Sequence, residues 1–299
     1  MPASYRTLSD GQWNRRIKKA WALAAPCRLC PHHCDVDRTQ GQRGRCGIGN
    51  KARVASFGAH PGEERPLSGR FGSGTIFFAG CNLSCVYCQN FDISQQATGD
   101  RVSAQTLADL MLQLQDRRCH NINLVSPTHV IPLILEGLYQ AASDGLTLPI
   151  VYNSGGYDSV EALTLLDGII DIYLPDMKYQ DPEIARELSD APNYPKMNRQ
   201  ALREMHRQVG DLEVDDAGIA VRGLLVRHLV LPHDLSQTGS AMAFLANTLS
   251  RDTAVNIMGQ YRPEYQARTF DQLSRPVSTK EIRRAREQAQ AEGLHRIHF

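Results

Sequence analysis

The chain lacks the features that mark membrane, secreted and nucleic-acid-binding proteins. No apolar run among its 299 residues approaches the roughly 20 that are needed to cross a bilayer. Residues 1–19 are polar and basic, without the apolar core of a signal peptide. The formal net charge is only +1, so no bulk attraction to nucleic acid or to a membrane surface is expected. These absences favour a cytoplasmic protein without nucleic-acid or membrane partners.

No internal repeat or low-complexity tract is present, and the composition is ordinary for a globular protein, with 42% hydrophobic and 22% charged residues. The length suits one large α/β domain with an appendage. Seven of the eight cysteines fall into two tight groups, which is typical of metal binding in a reducing cytosol rather than of disulfides. Cys119 stands alone and is most simply a small buried residue.

Three cysteines on one short loop are the most informative feature. Cys81, Cys85 and Cys88 follow the apolar run 74–79 with the spacing Cys-x3-Cys-x2-Cys. Three thiolates can hold three corners of a cubane [4Fe–4S] cluster, because soft sulfur ligands suit iron. Since the loop has no fourth cysteine, one iron would be open to a small molecule, which indicates chemistry at the metal. The alternatives are a zinc site that borrows a ligand from elsewhere, or a chance grouping.

Residues 80–90, which read GCNLSCVYCQN, resemble the cluster loop of the radical S-adenosylmethionine (SAM) enzymes. Within that superfamily, residues 75–299 most resemble the glycyl-radical-enzyme activating enzymes, such as those that activate pyruvate formate-lyase. The whole chain is most similar to an activase-like branch with an N-terminal four-cysteine motif. We include Tyr87, just before the last cysteine, among the candidate cofactor-binding residues.

Alternating apolar runs and helical patterns predict the fold from residue 75 onward. Six runs are typical of buried parallel strands: 75–79, 121–125, 149–153, 169–175, 224–231 and 253–258. Helices are predicted near 9–25, 103–116, 130–143, 158–166, 181–209 in pieces, 237–249 and 278–292, and a hairpin at 214–222. Six βα units favour an open, partial (β/α)6 TIM barrel, which the resemblance also implies. We divide the chain into an N-terminal segment, 1–70, and the barrel, 71–299.

In such barrels the chemistry lies at the C-terminal ends of the strands, so the residues after each strand are candidates. After the second predicted strand come Ser126, Thr128 and His129. The resemblance implies a Gly-Gly-Glu-like stretch there that contacts the methionyl amino group of SAM, and these three residues depart from it. Thr128 could equally cap the following helix. His129 is a proton-handling candidate or a structural histidine.

The third strand is followed by Asn153, Ser154 and Gly155, where paired glycines permit a close approach of the backbone to a ligand. The matching stretch of the activases has an acidic residue in place of Asn153. After the sixth strand, Gln260 and Tyr261 stand near the position of a histidine that contacts SAM in the activases, which is another departure.

Asp176 and Lys178 end the fourth predicted strand and resemble the Asp-Leu-Lys motif of the activases. Alternation along an extended backbone puts both side chains on one side, where they could bind the zwitterionic end of SAM or take part in catalysis. The alternative is a surface ion pair, worth about 0–1 kcal/mol. Arg227 lies within the apolar fifth strand, and burial of an arginine is costly unless it is paired. The resemblance implies that it reaches Asp176 or the carboxylate of SAM.

A second group of cysteines precedes the barrel: Cys27, Cys30, Cys34 and Cys46. Four thiols within twenty residues can wrap a metal that supplies folding free energy to a segment with little apolar content. Zinc and an auxiliary [4Fe–4S] cluster are both open. The alternative is four reduced thiols that are redox-labile or pack in the interior.

The resemblance implies an activity as well as a fold. A [4Fe–4S] cluster would cleave SAM reductively, and the resulting 5′-deoxyadenosyl radical would take a hydrogen atom from a small-molecule or peptide substrate. A reductant such as flavodoxin or ferredoxin would be needed. One alternative is an activating enzyme that makes a glycyl radical on a partner protein, and the departures at residues 126–129, 153 and 261 slightly disfavour it. Another is a non-enzymatic iron–sulfur electron carrier.

Overall fold

A computed structural model of the chain describes residues 3–298. Its strands are, in chain order, β1 Ala52–His60, β2 Ser73–Phe78, β3 Asp100–Val102, β4 Ile122–Val125, β5 Ile150–Asn153, β6 Ile172–Tyr173, β7 Glu213–Val214, β8 Ala220–Leu229, β9 Ala254–Met258 and β10 Ile297–His298. Its α-helices are α1 Asp10–Ala22, α2 Arg65–Ser68, α3 Phe91–Ser94, α4 Ala104–Asp116, α5 Ile131–Ser143, α6 Val160–Thr164, α7 Pro182–Ser189, α8 Tyr194–Val209, α9 Thr238–Phe244 and α10 Thr279–Ala291. A π-helix, Leu245–Leu249, continues α9.

One sheet organises the molecule. Strands β2, β4, β5, β6, β8 and β9 lie side by side in that order, and each neighbouring pair is parallel. The sheet does not close, because β10 lies beyond β9 at one edge and β1 and β3 lie beyond β2 at the other. The predicted α/β class and partial barrel are therefore confirmed. The carboxyl ends of the parallel strands meet at one rim, which is where ligands bind in such sheets.

Local sequence signals explain where the helices begin. Ser278 and Glu281 form a reciprocal capping box at the start of α10. The carboxylate of Asp181 accepts hydrogen bonds from the first backbone N–H groups of α7, and Pro182 occupies the first turn. The predicted hairpin is present as well, since β7 pairs with the start of β8.

The N-terminal helix α1, which was predicted near residues 9–25, packs on the barrel. Trp13 is buried against the ring of Tyr139 on α5, and the indole of Trp21 donates to Glu136 Oε1 at 2.7 Å. No helix within residues 3–298 is long and apolar enough to cross a membrane.

Strands β1, β3 and β10 were not predicted. β1 lies before residue 70, yet it pairs antiparallel with β2 over residues 54–60 and 73–78. The predicted N-terminal segment thus supplies a strand to the barrel sheet. The division at residue 70 stays a prediction.

Candidate functional site

A cavity of about 390 Å³ opens at the carboxyl ends of the parallel strands. The loop that joins β2 to α3 carries Cys81, Cys85 and Cys88, and all three side chains line this cavity. Residues from the ends of β4, β5, β6 and β8 line the opposite walls. The rim of the sheet therefore brings the three-cysteine loop and the other strand ends to one space.

The backbone of this cysteine loop is held from two sides. Asn82 donates from Nδ2 to Tyr157 O at 2.6 Å. On the other side, Ser84 N and Val86 N donate to the carbonyls of Ser189 and Leu188 at 3.1 and 2.9 Å. These bonds fix the residues on both sides of Cys85 independently of any bound group.

Each of the three sulfurs has a polar neighbour. Leu83 N donates to Cys81 Sγ at 3.4 Å, Ser189 Oγ donates to Cys85 Sγ at 2.9 Å, and Ser94 Oγ lies 3.1 Å from Cys88 Sγ. Hydrogen bonds to ligand sulfurs are a feature of iron–sulfur sites, where they contribute to the reduction potential. The donor set of three thiols with hydroxyl and N–H partners fits a cluster that leaves one iron without a protein ligand.

Two of the three thiols, Cys81 and Cys85, are unfavourable as free anions. Burial raises the pKa of Cys81 to about 12, and the neighbouring Cys85 adds to the effect. Burial also raises the pKa of Cys85, although Lys178 opposes it. Because thiolates bind metal, loading the site releases protons. No three His, Cys, Asp or Glu side chains of residues 3–298 are grouped closely enough to hold a single metal ion, but cluster ligands bind separate irons and need more space than that.

A network of charged and amide side chains forms the opposite wall. Asp176 accepts hydrogen bonds from Lys178 Nζ at 2.7 Å and from Arg227 Nε at 2.9 Å. Arg227 also donates from Nη2 to Asn153 Oδ1 at 2.6 Å. The four side chains come from the ends of three neighbouring strands and all line the cavity. One carboxylate thus lies between two cations, which both line the cavity.

The environment keeps this network ionised. Burial opposes ionisation of Asp176, but Arg227 and Lys178 outweigh it and hold the pKa of the carboxyl below its ordinary value. Burial opposes the charge of Lys178 in the same way, and Asp176 more than compensates, so the pKa of Lys178 is raised. Since the charged side chains are only 15–19% exposed, they form a nearly buried ion triad rather than a surface pair.

Two strand ends have unusual backbone at the cavity. Ser126 has φ = 56°, a left-handed conformation that is uncommon outside glycine and tends to be found at functional sites. Gly156 has φ = 72°, and a Cβ atom there would lie 2.0 Å from Asp176 O. Only glycine therefore allows the turn after β5, with Ser154 and Gly155, to reach the end of β6. Ser126, Ser154 and Gly155 all line the cavity.

Five predicted site residues do not line the cavity. Thr128 is buried and donates to Asp158 Oδ1 at 2.6 Å. His129 is buried with Nε2 at 2.9 Å from Ala79 O, and burial lowers its pKa to about 4. The remaining three lie on the far side of the cysteine loop: Tyr87, Gln260 and Tyr261. Tyr261 donates to Leu273 O at 2.7 Å, so its hydroxyl is already engaged.

The cavity also contains residues that were not predicted. His60, at the end of β1, and Glu63, just after it, also line the cavity, and Glu63 lies close enough to Arg227 and Asp176 to interact with both electrostatically. Burial raises the pKa of Glu63 to about 7, with Arg227 opposing and Glu64 adding to the shift. Their signal in the sequence was weak, because nothing in it indicated that β1 pairs beside the cysteine strand.

The N-terminal cysteine segment lies directly behind the cysteine loop. His32 Nε2 is 2.7 Å from Asn82 O, and Gly80 (φ = 82°) has no room for a Cβ because Cys46 O would lie at 2.5 Å. Burial raises the pKa of Cys30 to about 12, with Cys46, Cys34 and Cys27 adding to the shift. All four are free thiols. A second metal site here stays a prediction.

Comparison with known proteins agrees with the cysteine loop. Residues 68–155 match the family described as a 4Fe-4S single cluster domain, which contains Cys81, Cys85 and Cys88. The chain is 34% identical over 293 residues to the protein MJ0674 of Methanocaldococcus jannaschii, covering 95% of this chain and 80% of that protein. A second protein of that organism, MJ0808, is 32% identical over 85 residues, which are 23% of this chain and 24% of the other.

Two solved structures are distantly similar. The first is Streptococcus suis SuiB bound to the precursor peptide SuiA, with a TM-score of 0.46 and 10% identity over 70% of this chain and 43% of that one. The second is a radical SAM methyltransferase from Sphaerobacter thermophilus, with a TM-score of 0.45 and 15% identity over 74% of this chain and 64% of that one. At TM-scores below 0.5, neither likeness identifies an activity.

Proposed function

We propose that the chain, which belongs to the family of the M. jannaschii protein MJ0674 and contains a 4Fe-4S single cluster domain, is a radical SAM enzyme that cleaves SAM reductively to abstract a hydrogen atom from a substrate in the barrel. The observation that carries the proposal is the cavity that the three thiols share with the Asn153–Arg227–Asp176–Lys178 network. Its volume, about 390 Å³, falls within the range of small-molecule sites, about 300–1,000 Å³.

Cys81, Cys85 and Cys88 are the residues that would hold the cluster. When bound, the cluster would supply the electron for reductive cleavage of SAM and so for abstraction of a hydrogen atom from the substrate. All other roles fall to the side chains of the cavity, which bind, orient and exclude water.

Arg227 and Lys178 supply the positive charge for the carboxylate of SAM. Asp176 pairs with both cations, and the carboxylate of SAM would be a further acceptor for their N–H groups in the cavity. Asn153 holds the guanidinium of Arg227 in place. Ser154 and Gly155 line the same cavity, where they would lie against the methionyl end of SAM.

The substrate is proposed to be a small molecule or a peptide, and the electron donor a flavodoxin or ferredoxin. An activating enzyme for a partner protein is the related alternative that the sequence resemblance keeps open. A pure electron carrier is less well supported, because a carrier has no need of a buried ion triad facing its cluster.

The test is formation of 5′-deoxyadenosine by the anaerobically reconstituted, reduced protein in the presence of SAM. Cys85→Ala should lose iron and product together, because it removes one cluster ligand. Cys119→Ala is the matched control, since Cys119 is a buried cysteine outside the cavity and its loss should leave both unchanged. Product formation by Cys85→Ala at the wild-type rate would contradict the proposal.

A further inference from the structure

Ser189 is the closest polar neighbour of any of the three cavity cysteines. It is the last residue of α7, its side chain is fully buried, and its Oγ lies 2.9 Å from Cys85 Sγ. The carbonyls of Ser189 and Leu188 accept hydrogen bonds from the backbone on both sides of Cys85. The end of α7 is thus attached to the cysteine loop at three points, which keep the Cα of Ser189 close to Cys85.

Two buried tyrosines continue from this hydroxyl. Tyr179 OH lies 2.8 Å from Ser189 Oγ, and Tyr87 OH is hydrogen-bonded to Tyr179 OH. Tyr87 is 5% exposed and Tyr179 is fully buried, so water does not compete for these groups. The result is a closed chain of hydroxyls that ends on Cys85 Sγ.

Chemistry sets the direction of this chain. A cysteine sulfur bound to iron carries no proton and can only accept, so Ser189 must donate to it. Ser189 then has its oxygen free to accept from Tyr179, and Tyr179 can accept from Tyr87. Aligned hydrogen bonds polarise one another in a low-dielectric interior, so the tyrosines strengthen the bond from Ser189.

The three sulfurs differ in the hydrogen bonds that they accept. Cys81 receives a long 3.4 Å bond from a backbone N–H, and the partner of Cys88 is Ser94, which is only half-buried and lines the cavity. Ser94 in turn accepts from the half-buried Gln95 at 3.3 Å, whereas the donors behind Cys85 are fully or almost fully buried. A hydrogen bond to a ligand sulfur stabilises the more negative, reduced cluster more than the oxidised one, and so raises the reduction potential.

We propose that Ser189, oriented by Tyr179 and Tyr87, is a positioning residue that raises the reduction potential of the cluster through Cys85. This rests on the proposed function, because it requires the three cysteines to hold a cluster. Its physiological consequence is that a donor of moderate potential can reduce the site.

The test is a potentiometric titration of the reconstituted cluster, monitored by electron paramagnetic resonance (EPR), with iron and sulfide content measured in each sample. Ser189→Ala should shift the midpoint potential to a more negative value at unchanged iron content, and Tyr179→Phe should shift it in the same direction by less. Ser73→Ala is the control, because Ser73 is an equally buried serine whose hydroxyl bonds to Asn121. Its midpoint should match the wild type.

An unchanged midpoint in Ser189→Ala with a full cluster would overturn the proposal. If Ser189→Ala takes up no cluster, Tyr179→Phe decides, since it removes the donor to Ser189 and leaves the serine in place, and an unshifted midpoint there overturns the proposal as well. A wild-type protein that takes up no cluster at all would overturn the proposed function, and this inference with it. The first two failures leave the proposed function standing.

Discussion

Replacing Arg227 by alanine removes the guanidinium that joins two strand ends across the cavity. Arg227 donates to Asp176 Oδ1 at 2.9 Å and to Asn153 Oδ1 at 2.6 Å. A hydrogen bond to a charged group contributes about 1.5–3 kcal/mol, and removing one partner of a buried ion pair costs about 3–5 kcal/mol. Because Asp176 keeps Lys178 as a partner, we expect the lower end, about 3 kcal/mol of unfolding free energy.

At an unfolding entropy of about 2.1 cal/mol/K per residue, a loss of about 3 kcal/mol corresponds to a fall in Tm of roughly 5 °C for the 299 residues. Differential scanning calorimetry of the metal-free protein measures this fall. SAM affinity, measured by equilibrium dialysis, should decrease as well, because one of the two cavity cations is lost.

The matched control is Arg222→Ala. Arg222 lies on the same strand, β8, but its Nη2 donates to the backbone carbonyl of Gln208 at 2.6 Å, away from the cavity. It should lower Tm by less and leave SAM affinity unchanged. A Tm of Arg227→Ala within about 1 °C of the wild type, or equal SAM affinity, would show that the triad is neither a structural nor a binding element.

The remaining predictions concern individual positions. Gly156→Ala should destabilise the chain by at least about 2 kcal/mol more than Gly168→Ala. Both glycines have φ near +71°, but only at Gly156 would the added Cβ lie 2.0 Å from a backbone oxygen. Denaturant unfolding measures the difference in free energy of unfolding, and equal losses would refute the prediction. The pKa of Glu63 is raised by burial from 4.5 to about 7, so the folded chain holds this proton when the unfolded chain has lost it. The free energy of unfolding should therefore fall as pH rises from about 5 to 7. In Glu63→Gln, urea unfolding at several pH values should show a weaker dependence of this free energy on pH. An unchanged dependence would show that another group is responsible for it. His129→Asn should leave the rate of 5′-deoxyadenosine formation within about twofold of the wild type, since burial lowers the pKa of His129 to about 4 and its ring does not reach the cavity. A loss of about 100-fold, typical of a removed acid or base, would indicate that His129 is a catalytic residue.

The strand ends could be predicted because barrel geometry converts positions in sequence into positions in space. Three site residues follow or lie within apolar runs: Asn153, Asp176 and Arg227. Parallel pairing of neighbouring strands brings the ends of such runs together. Asp176 and Arg227 also carried an energetic signal, because isolated charges in apolar strands need partners. The observed triad is that pairing.

Thr128, His129 and Tyr261 do not line the cavity, and their roles stay predictions. Thr128 and His129 are buried and bond to Asp158 and to Ala79 O, although they are only two and three residues from Ser126 in the cavity. Tyr261 bonds to Leu273, a contact that sequence spacing does not reveal.

The contribution of the N-terminal segment was missed for a different reason. β1, with Ser56, Gly58 and Ala59 among its residues, has few large apolar side chains, so its own pattern predicts a strand poorly. It forms because β2 offers an unpaired edge, which is a long-range effect. His60 and Glu63 reach the cavity only as a consequence of that pairing.

The central claim is that three thiols leave one iron of the cluster open to SAM. It is tested most directly by electron–nuclear double resonance on the reduced, reconstituted protein with SAM labelled with ¹⁷O in the carboxylate. If one iron binds the carboxylate of SAM, the wild type should show a hyperfine coupling between the cluster and the label. A sample with a full, reduced cluster and saturating bound SAM that shows no coupling would contradict it.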